Sequence, residues 1–309
     1  MADGPPVGRR ASDLEVILNP AAGGGGAAAR VRGLLEARGI GVRLSVGPGD
    51  VTRLAREAAH DHAIIVAAGG DGTVSEVVNG LLPVEEESRP AVGVLPLGTG
   101  NDLAHGLGIP SRPDRALEIL ARGRTRPMDV VRLRRGRDGE GPVEVRAFAN
   151  AAILGFCGRI SDRLPPARRR RWGRFSYLRA ALDELADAVA HEVKIRIDGE
   201  AIAERASMVV VANGRFAGGR LPLAPRASPH DGRLDLVILP PLTPWRFASL
   251  LPRVLAGRQL AHPAVIHRTG RSVSVEADPP MWMNVDGETL PPAPLSLEVL
   301  PGVLSFVVP

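Results

Sequence analysis

Two glycine-rich segments that each carry an aspartate are the features of this sequence best suited to chemistry. They are Gly69-Gly70-Asp71-Gly72-Thr73 and Pro96-Leu97-Gly98-Thr99-Gly100-Asn101-Asp102, and each follows a short apolar run and precedes a helical pattern. Glycines at a strand-to-helix turn expose backbone N–H groups, and the helix N-terminus adds partial positive charge, so such a turn suits a phosphate. An aspartate beside a phosphate usually indicates a divalent cation between them. The pair predicts a nucleotide-dependent phosphotransferase.

The alternative for each segment alone is an ordinary strand-to-helix turn, but two acid-bearing turns in succession favour a functional role. Lys194 is the only lysine and lies in neither segment, which excludes a P-loop ending in Gly-Lys-Ser/Thr. No strand is followed by a Gly-x-Gly-x-x-Gly turn with an acid about twenty residues later, so a Rossmann dinucleotide site is unsupported. The expected phosphate ligands are therefore backbone amides, hydroxyls, arginine and a metal ion.

These segments resemble the signatures of the diacylglycerol kinase catalytic family, which includes bacterial diacylglycerol kinases and the sphingosine and ceramide kinases. Residues 69–73 resemble its nucleotide signature, and residues 96–102 resemble its second loop. Residues 17–26 resemble its first strand and loop, and residues 284–288 resemble its Asp-Gly-Glu signature. The resemblance runs in the family's order from about Leu14 to the C-terminus. NAD kinases share the first signature but not the second loop.

The resemblance implies an ATP site with Mg²⁺ held by Asp71 first and Asp102 second. The alternative for Asp102 is a structural acid whose charge is stabilised by the dipole at the start of a helix. The alternative for Thr73 and Thr99 is that their hydroxyls cap a helix N-terminus. Ser45 stands where the family often has a threonine, so a hydroxyl is retained. The residues expected at the nucleotide are Asn19, Ser45, Gly69, Gly70, Asp71, Gly72, Thr73, Gly98, Thr99, Asn101 and Asp102.

The resemblance also assigns proton transfer to the segment near the C-terminus. Glu288 is the expected base that removes the proton from a lipid hydroxyl, with Asp286 assisting it or binding metal. Taken alone, Asp-Gly before Glu is a common hairpin turn. A further Mg²⁺ site is implied at Asp231 with backbone carbonyls such as those of Ser228 and Arg233, and a turn without metal is its alternative.

The pattern of apolar runs changes near residue 128. Strand and helix patterns alternate over residues 14–126, which predicts a parallel sheet covered by helices. Beyond it, many strands and two helices, at 177–190 and 244–257, predict an antiparallel sandwich. Residues 143–153 are predicted as one strand. The expected α/β architecture has a disordered tail at 1–12, a nucleotide-binding domain at 13–127 plus about 302–309, and a β-rich lipid-substrate domain at 128–301.

Composition adds constraints on location and partners. The chain has 309 residues, a net charge of +5 and one cysteine, Cys157, which fits a reducing cytoplasm. The N-terminus lacks the apolar segment of a secretion signal. A basic run beside two aromatic residues predicts contact with an anionic membrane surface, and a solvated helix start is its alternative. Aromatic residues make up only 3%, too few for a nucleic-acid stacking platform. The basic run is Arg168, Arg169, Arg170 and Arg171.

Together these features predict a cytoplasmic, peripherally membrane-associated lipid kinase that uses ATP and Mg²⁺. Diacylglycerol is the leading acceptor, and phosphatidic acid would be the product. The alternatives are an NAD kinase and a non-catalytic nucleotide- or lipid-binding regulator on the same fold. All four acids of the predicted site, Asp71, Asp102, Asp286 and Glu288, are present, which disfavours the regulator. A homodimer is left open.

Overall fold

A computed structural model describes residues 11–24, 26–137, 139, 141–155 and 190–309. The chain forms two compact units, of which unit 1 is Met1–Met128 with Gly302–Pro309 and unit 2 is Asp129–Pro301. The basic run at 168–171, Cys157 and the predicted helix at 177–190, apart from Ala190, lie outside the described residues. Within the described residues, no helix has the length and apolar character needed to span a membrane.

Unit 1 alternates strands and helices along the chain. Its strands are parallel and lie in the order β2-β1-β3-β4. Short 3₁₀ turns occur at Ala22–Gly24 and Glu86–Ser88. The elements are β1 (Leu14–Leu18), α1 (Gly26–Glu36), β2 (Gly41–Leu44), α2 (Asp50–Ala58), β3 (Ile64–Gly69), α3 (Asp71–Leu81), β4 (Ala91–Pro96), α4 (Asp102–Gly106) and α5 (Pro113–Arg122).

The central strands of unit 1 are buried along their whole length, as expected for a parallel sheet covered on both faces. Helix α2 buries Val51, Leu54 and Ala58, a spacing that places them on one helical face. A Cβ at Gly80 of α3 would lie 2.5 Å from the carbonyl oxygen of Thr52, so only glycine allows α3 to approach α2 this closely. The predicted parallel sheet is confirmed.

Unit 2 is built almost entirely from antiparallel strands. One sheet has the order β12-β11-β10-β7-β14-β15, and a second set pairs β16, β13, β8 and β9. The elements are β5 (Thr125–Arg135), which begins in unit 1, β6 (Glu144–Phe148), β7 (Ala151–Gly155), β8 (His191–Ile197), β9 (Glu200–Ala206), β10 (Met208–Ala212), β11 (Leu234–Leu239), α6 (Pro244–Leu255), β12 (Ile266–Gly270), β13 (Ser272–Asp278), β14 (Met283–Val285), β15 (Glu288–Leu290) and β16 (Leu295–Val307).

The core of unit 2 lies between its sheets, and successive residues of a strand point to opposite faces. On β7, Ala152 and Leu154 belong to this core, whereas Ala151 and Ile153 belong to a second apolar cluster. The second cluster includes Leu250 of α6, so both faces of β7 are covered. The predicted antiparallel sandwich is confirmed.

The structure corrects the prediction of a single strand over residues 143–153. Strand β6 pairs with β5, whereas β7 pairs with β10 and β14. The chain turns between them because the carboxylate of Asp286 accepts the N–H groups of residues 149–151. Strand β16 begins at Leu295 in unit 2, and its end, which belongs to unit 1, pairs with β4 through Phe306 and Val92.

Candidate active site

The predicted nucleotide residues of unit 1 follow the carboxyl ends of its strands. Asn19 follows β1, Ser45 follows β2, and the two glycine-rich segments follow β3 and β4. Backbone bonds tie these ends together: the N–H of Asn19 donates to the carbonyl of Ala68 (3.0 Å), and that of Ser45 donates to the carbonyl of Leu18 (3.0 Å). Loops at this edge of a parallel sheet are the usual location of a ligand site. The strand order therefore brings the predicted residues to one edge.

The two glycine-rich loops pack directly against each other. The N–H of Leu97 donates to the carbonyl of Gly69 (2.8 Å), and a Cβ at Gly98 would lie 2.6 Å from the Cα of Gly70. A Cβ at Gly69 would overlap the side chain of Thr73. Gly69 and Gly98 are thus required by the packing of the protein itself. Gly72 is different, because a Cβ there would meet no atom within 4 Å, which leaves its backbone open to a ligand.

Side chains hold the shape of these loops. Asn101 has a left-handed backbone (φ 51°). Its side-chain Oδ1 accepts from the N–H of Gly98 (3.0 Å), and its Nδ2 donates to the carbonyl of Gly98 (2.7 Å). The Nδ2 group of Asn19 donates to Thr73 Oγ1 at 3.4 Å. The N-cap residues of α3 and α4 are Gly70 and Asn101, so the N-cap alternative for Thr73 and Thr99 is wrong. Thr99 is exposed on the loop.

Asp71 carries a strongly perturbed carboxylate. Its oxygens accept the N–H groups of Asp102 (3.1 Å) and Leu103 (3.2 Å) at the start of α4. Burial, and then the charge of Asp102, raise the pKa of Asp71 to about 7, against the opposing effect of these backbone bonds. A Cβ at Gly100 would lie 3.2 Å from Oδ2 of Asp71 and 3.6 Å from Oδ2 of Asp102. Two carboxylates thus flank one glycine.

The donor chemistry at this pair fits a Mg²⁺ ion. Mg²⁺ prefers oxygen ligands, and in nucleotide enzymes it is usually held by one or two carboxylates together with substrate phosphates. Burial is the largest cause of the raised pKa of Asp71, and the repulsion from Asp102, which adds to it, is the kind that a divalent cation relieves. In the part of the chain that the structure describes, no group of three or more His, Cys, Asp or Glu side chains could hold a metal. Bound phosphates would have to complete the ligand set of Asp71 and Asp102.

In unit 2, Asp286 forms the turn between β14 and β15. Asp286 and Gly287 both have positive φ (46° and 90°), and Val285 pairs with Glu288 across the turn, as in a two-residue hairpin. The Asp286 carboxylate is buried, with Oδ2 accepting from the N–H of Ala149 (2.9 Å) and Oδ1 from those of Asn150 (3.1 Å) and Ala151 (2.9 Å). Asp286 therefore connects the hairpin to the turn between β6 and β7.

Glu288 is the first residue of β15, and its side chain is 56% exposed. Its Oε2 accepts from Nη2 of Arg146 on β6 at 2.7 Å. Sequence reasoning did not single out Arg146, because nothing in the local pattern connects residues 142 positions apart. The structure thus places the predicted base in an ion pair with an arginine of another strand.

The predicted metal residue Asp231 lies in an exposed turn of unit 2. The Oδ1 atom of Asp231 accepts a hydrogen bond from the N–H of Arg233 (3.0 Å). The N–H of Gly232, which lies between these two residues, donates to the buried carboxylate of Asp129 (2.7 Å). Nearby, Asp235 contacts His267 at 2.6 Å; burial raises the pKa of Asp235, and His267 opposes that shift. The contacts of Asp231 are those of an aspartate-glycine turn, and its metal role stays a prediction.

Comparison with known proteins covers nearly the whole chain. Residues 13–133 match the diacylglycerol kinase catalytic domain, and residues 154–308 match the YegS C-terminal NAD kinase beta sandwich-like domain. The chain is 34% identical to a diacylglycerol kinase of Bacillus subtilis, covering 78% of this chain and 76% of that protein. It is 33% identical to a protein of Yersinia enterocolitica named probable lipid kinase YegS-like, covering 87% and 86%.

Solved structures agree with this comparison. A crystal structure of a diacylglycerol kinase from Bacillus anthracis superposes with a TM-score of 0.77 at 26% identity, covering 96% of this chain and 97% of that one. Yeast NADH kinase shares the fold, with a TM-score of 0.55 at 12% identity, 96% of this chain and 83% of that one being covered. The parallel-sheet unit with paired aspartate loops and the antiparallel unit define a kinase of the lipid kinase class. The chain belongs to the diacylglycerol kinase catalytic domain family.

Proposed function

We propose that this protein transfers the γ-phosphoryl group of ATP to the free hydroxyl of diacylglycerol, giving phosphatidic acid and ADP. The observation that carries the proposal is the aspartate pair, Asp71 and Asp102, in the touching loops at the carboxyl edge of the unit 1 sheet. The names of the relatives from B. subtilis and B. anthracis support diacylglycerol as the acceptor.

On the nucleotide side, the residues of unit 1 bind and orient the phosphates. The open backbone at Gly72 and the exposed hydroxyl of Thr99 are the groups we assign to phosphate contact. Asp71 and Asp102 would hold Mg²⁺, which when bound supplies positive charge that neutralises the phosphate oxygens. Asn101 keeps the second loop in shape through its two bonds to Gly98.

On the acceptor side, Glu288 takes the proton. As the hydroxyl oxygen of the lipid forms its bond to the γ-phosphorus, its hydrogen passes to the Glu288 carboxylate, and the bond from phosphorus to the bridging oxygen breaks. ADP leaves with that electron pair, so atoms and charge balance. The exposure of the Glu288 side chain supports access to an external hydroxyl.

The acceptor also determines where the enzyme works. A diacylglycerol stays in the bilayer, so we propose that the protein is cytoplasmic and binds an anionic membrane surface through Arg168, Arg169, Arg170 and Arg171. Each basic residue near such a surface contributes roughly 1 kcal/mol.

The test is transfer of ³²P from γ-labelled ATP to diacylglycerol, ceramide and sphingosine in mixed micelles, with NAD as a soluble acceptor, with Mg²⁺ or with EDTA. We expect Mg²⁺-dependent label in phosphatidic acid. Label in NADP would contradict the proposal and support an NAD kinase; label in another lipid would reassign the acceptor. No transfer to any acceptor would contradict the proposed activity.

Two variants make the test specific for the proposed base. Glu288→Gln keeps the size of the side chain but loses the proton acceptor, so the rate should fall by about 10²–10⁴-fold. Glu276→Gln is the matched control, because Glu276 is also half exposed and pairs with Arg137 at 2.7 Å. Its rate should stay near that of the wild type. Equal rates for the two variants would overturn the assignment of Glu288.

A further inference from the structure

Among the ion-paired arginines described in unit 2, Arg146 and Arg135 are mostly buried. Their side chains are 16% and 21% exposed, whereas that of Arg137 is 47% exposed. Burying an arginine is unfavourable unless its charge is compensated by partners. Burial lowers the pKa of Arg146, but the bond to Glu288 and the charges of Glu288, Glu144 and Asp286 outweigh that effect and raise it. Arg146 is therefore a fixed positive charge.

The guanidinium of Arg146 also has a second acidic neighbour. Its Nη1 lies 3.6 Å from Oε1 of Glu144, and the other oxygen of Glu144 is bound by Arg135 at 2.6 Å. A chain of alternating charges thus runs from β5 through β6 to β15, and its members are Arg135, Glu144, Arg146 and Glu288. A side chain held in this way loses little further freedom when it binds a carboxylate.

Glu288 needs such an anchor. More than half of its side chain is exposed, and an exposed glutamate samples several rotamers unless something holds it. A general base is effective only within hydrogen-bond reach of its proton, and a displacement of about 1 Å can cost roughly 100-fold in rate. The backbone of Glu288 is already placed by the Asp286 turn. Its side chain is placed by Arg146.

We propose that Arg146 is a positioning residue for phosphoryl transfer: it binds Oε2 of Glu288 and aims Oε1 at the acceptor hydroxyl. The proposal rests on the proposed function, in which Glu288 takes the proton. Arg146 itself contacts neither ATP nor the lipid in this scheme. Loss of its guanidinium should therefore affect turnover and leave the KM for ATP unchanged.

The first experiment compares Arg146→Met, Arg146→Lys and the control Arg137→Met, which breaks an ion pair of the same 2.7 Å length at Glu276. We expect Arg146→Met to lower kcat by about 10–100-fold with an unchanged KM for ATP. Arg146→Lys should recover part of the loss, because an ammonium can hold Glu288 without the two-armed geometry of the guanidinium. Arg137→Met should behave like the wild type.

Two results would overturn the proposal. One is wild-type kcat in a folded Arg146→Met protein. The other is a loss of kcat in Arg146→Met no larger than its loss of folded protein, together with wild-type kcat in a stable Arg146→Lys protein, which would indicate a purely structural role. If Arg146→Met does not fold, the lysine variant decides alone: a reduced kcat at normal stability supports the proposal, and wild-type kcat contradicts it.

A double-mutant cycle separates this proposal from the function on which it rests. If Arg146 acts through Glu288, the Arg146→Met/Glu288→Gln protein should have the residual rate of Glu288→Gln alone. A further drop equal to that of the single Arg146 variant would show that Arg146 acts independently and would overturn the positioning role. Wild-type activity in Glu288→Gln would instead refute the proposed base.

Discussion

At the residue scale, Asp71 links the predicted chemistry to a measurable effect on stability. Its pKa is raised from an ordinary 3.8 to about 7, so between these values the folded protein holds a proton that the unfolded chain has lost. The folded state then binds more protons than the unfolded state, and stability from this group falls as pH rises through that window. A carboxylate kept in so unfavourable a place is typical of a functional site.

We expect Asp71→Asn to abolish phosphoryl transfer and to weaken the pH dependence of stability. The Tm of the wild type should fall more between pH 5 and pH 8 than that of the variant, because asparagine does not titrate. Asp50→Asn is the control, since bonds from the Val46 N–H and Arg53 lower the pKa of Asp50. Because the charged carboxylate of Asp50 stabilises the folded state, Asp50→Asn should lower stability mainly above about pH 4. This is opposite to the pH dependence expected for Asp71. Thermal unfolding at several pH values would measure this, and equal slopes for Asp71→Asn and wild type would contradict it.

At the scale of elements, the hairpin of β14 and β15 has a structural role beyond the turn that its sequence pattern predicted. Asp286 and Gly287 form a two-residue turn, and the same aspartate satisfies three N–H groups of the turn between β6 and β7. Buried donors left without a partner are costly, so this carboxylate has a structural function whatever else it does. Glu288, two residues later, is exposed.

Substitutions of Asp286 and Glu288 should therefore differ in their effect on the free energy of unfolding. Asp286→Ala leaves three backbone donors unsatisfied and should destabilise unit 2 by about 3 kcal/mol or more. Glu288→Ala removes one acidic partner of the mostly buried Arg146, which keeps Glu144 nearby, and should cost about 1–2 kcal/mol, less than Asp286→Ala. Urea unfolding followed by circular dichroism would measure both. An Asp286→Ala protein of wild-type stability that lacks activity would assign Asp286 to catalysis instead.

At the scale of the whole molecule, the two units divide the proposed work between them. Unit 1 carries the aspartate pair, and unit 2 carries Glu288 with its anchoring charges. The net charge of the chain is +5, and its positively charged side chains are almost all arginine, since Lys194 is the only lysine. Long-range attraction to anionic lipid is expected of such a protein, and it weakens with salt.

Replacing Arg168, Arg169, Arg170 and Arg171 together by serine should weaken binding to vesicles that contain anionic lipid. The loss should be large at low salt and small at high salt, because salt screens the attraction. Serine at Arg30, Arg32, Arg38 and Arg56, which are exposed in unit 1, removes the same charge elsewhere and is the control. Sedimentation with vesicles would measure binding. Equal binding by the two variants would contradict a specific membrane contact.

The sequence by itself determined the features that depend on nearby residues. Alternating apolar runs and helical patterns predicted the parallel sheet, and the strand-rich pattern beyond residue 128 predicted the antiparallel sandwich. The glycine-aspartate segments predicted the loops at the sheet edge, because a strand-to-helix turn can be recognised from the residues within it. Strand β9, Glu200–Ala206, was missed since it is mostly exposed and carries little apolar signal.

Only the tertiary structure decided how distant residues combine. It placed Asp286 against the N–H groups of residues 149–151, which divides the strand that the sequence predicted at 143–153. It brought Gly98 against Gly70 and Arg146 against Glu288. Local patterns report a residue's preferred backbone and its burial, whereas these contacts depend on strand order and register, which are properties of the folded chain.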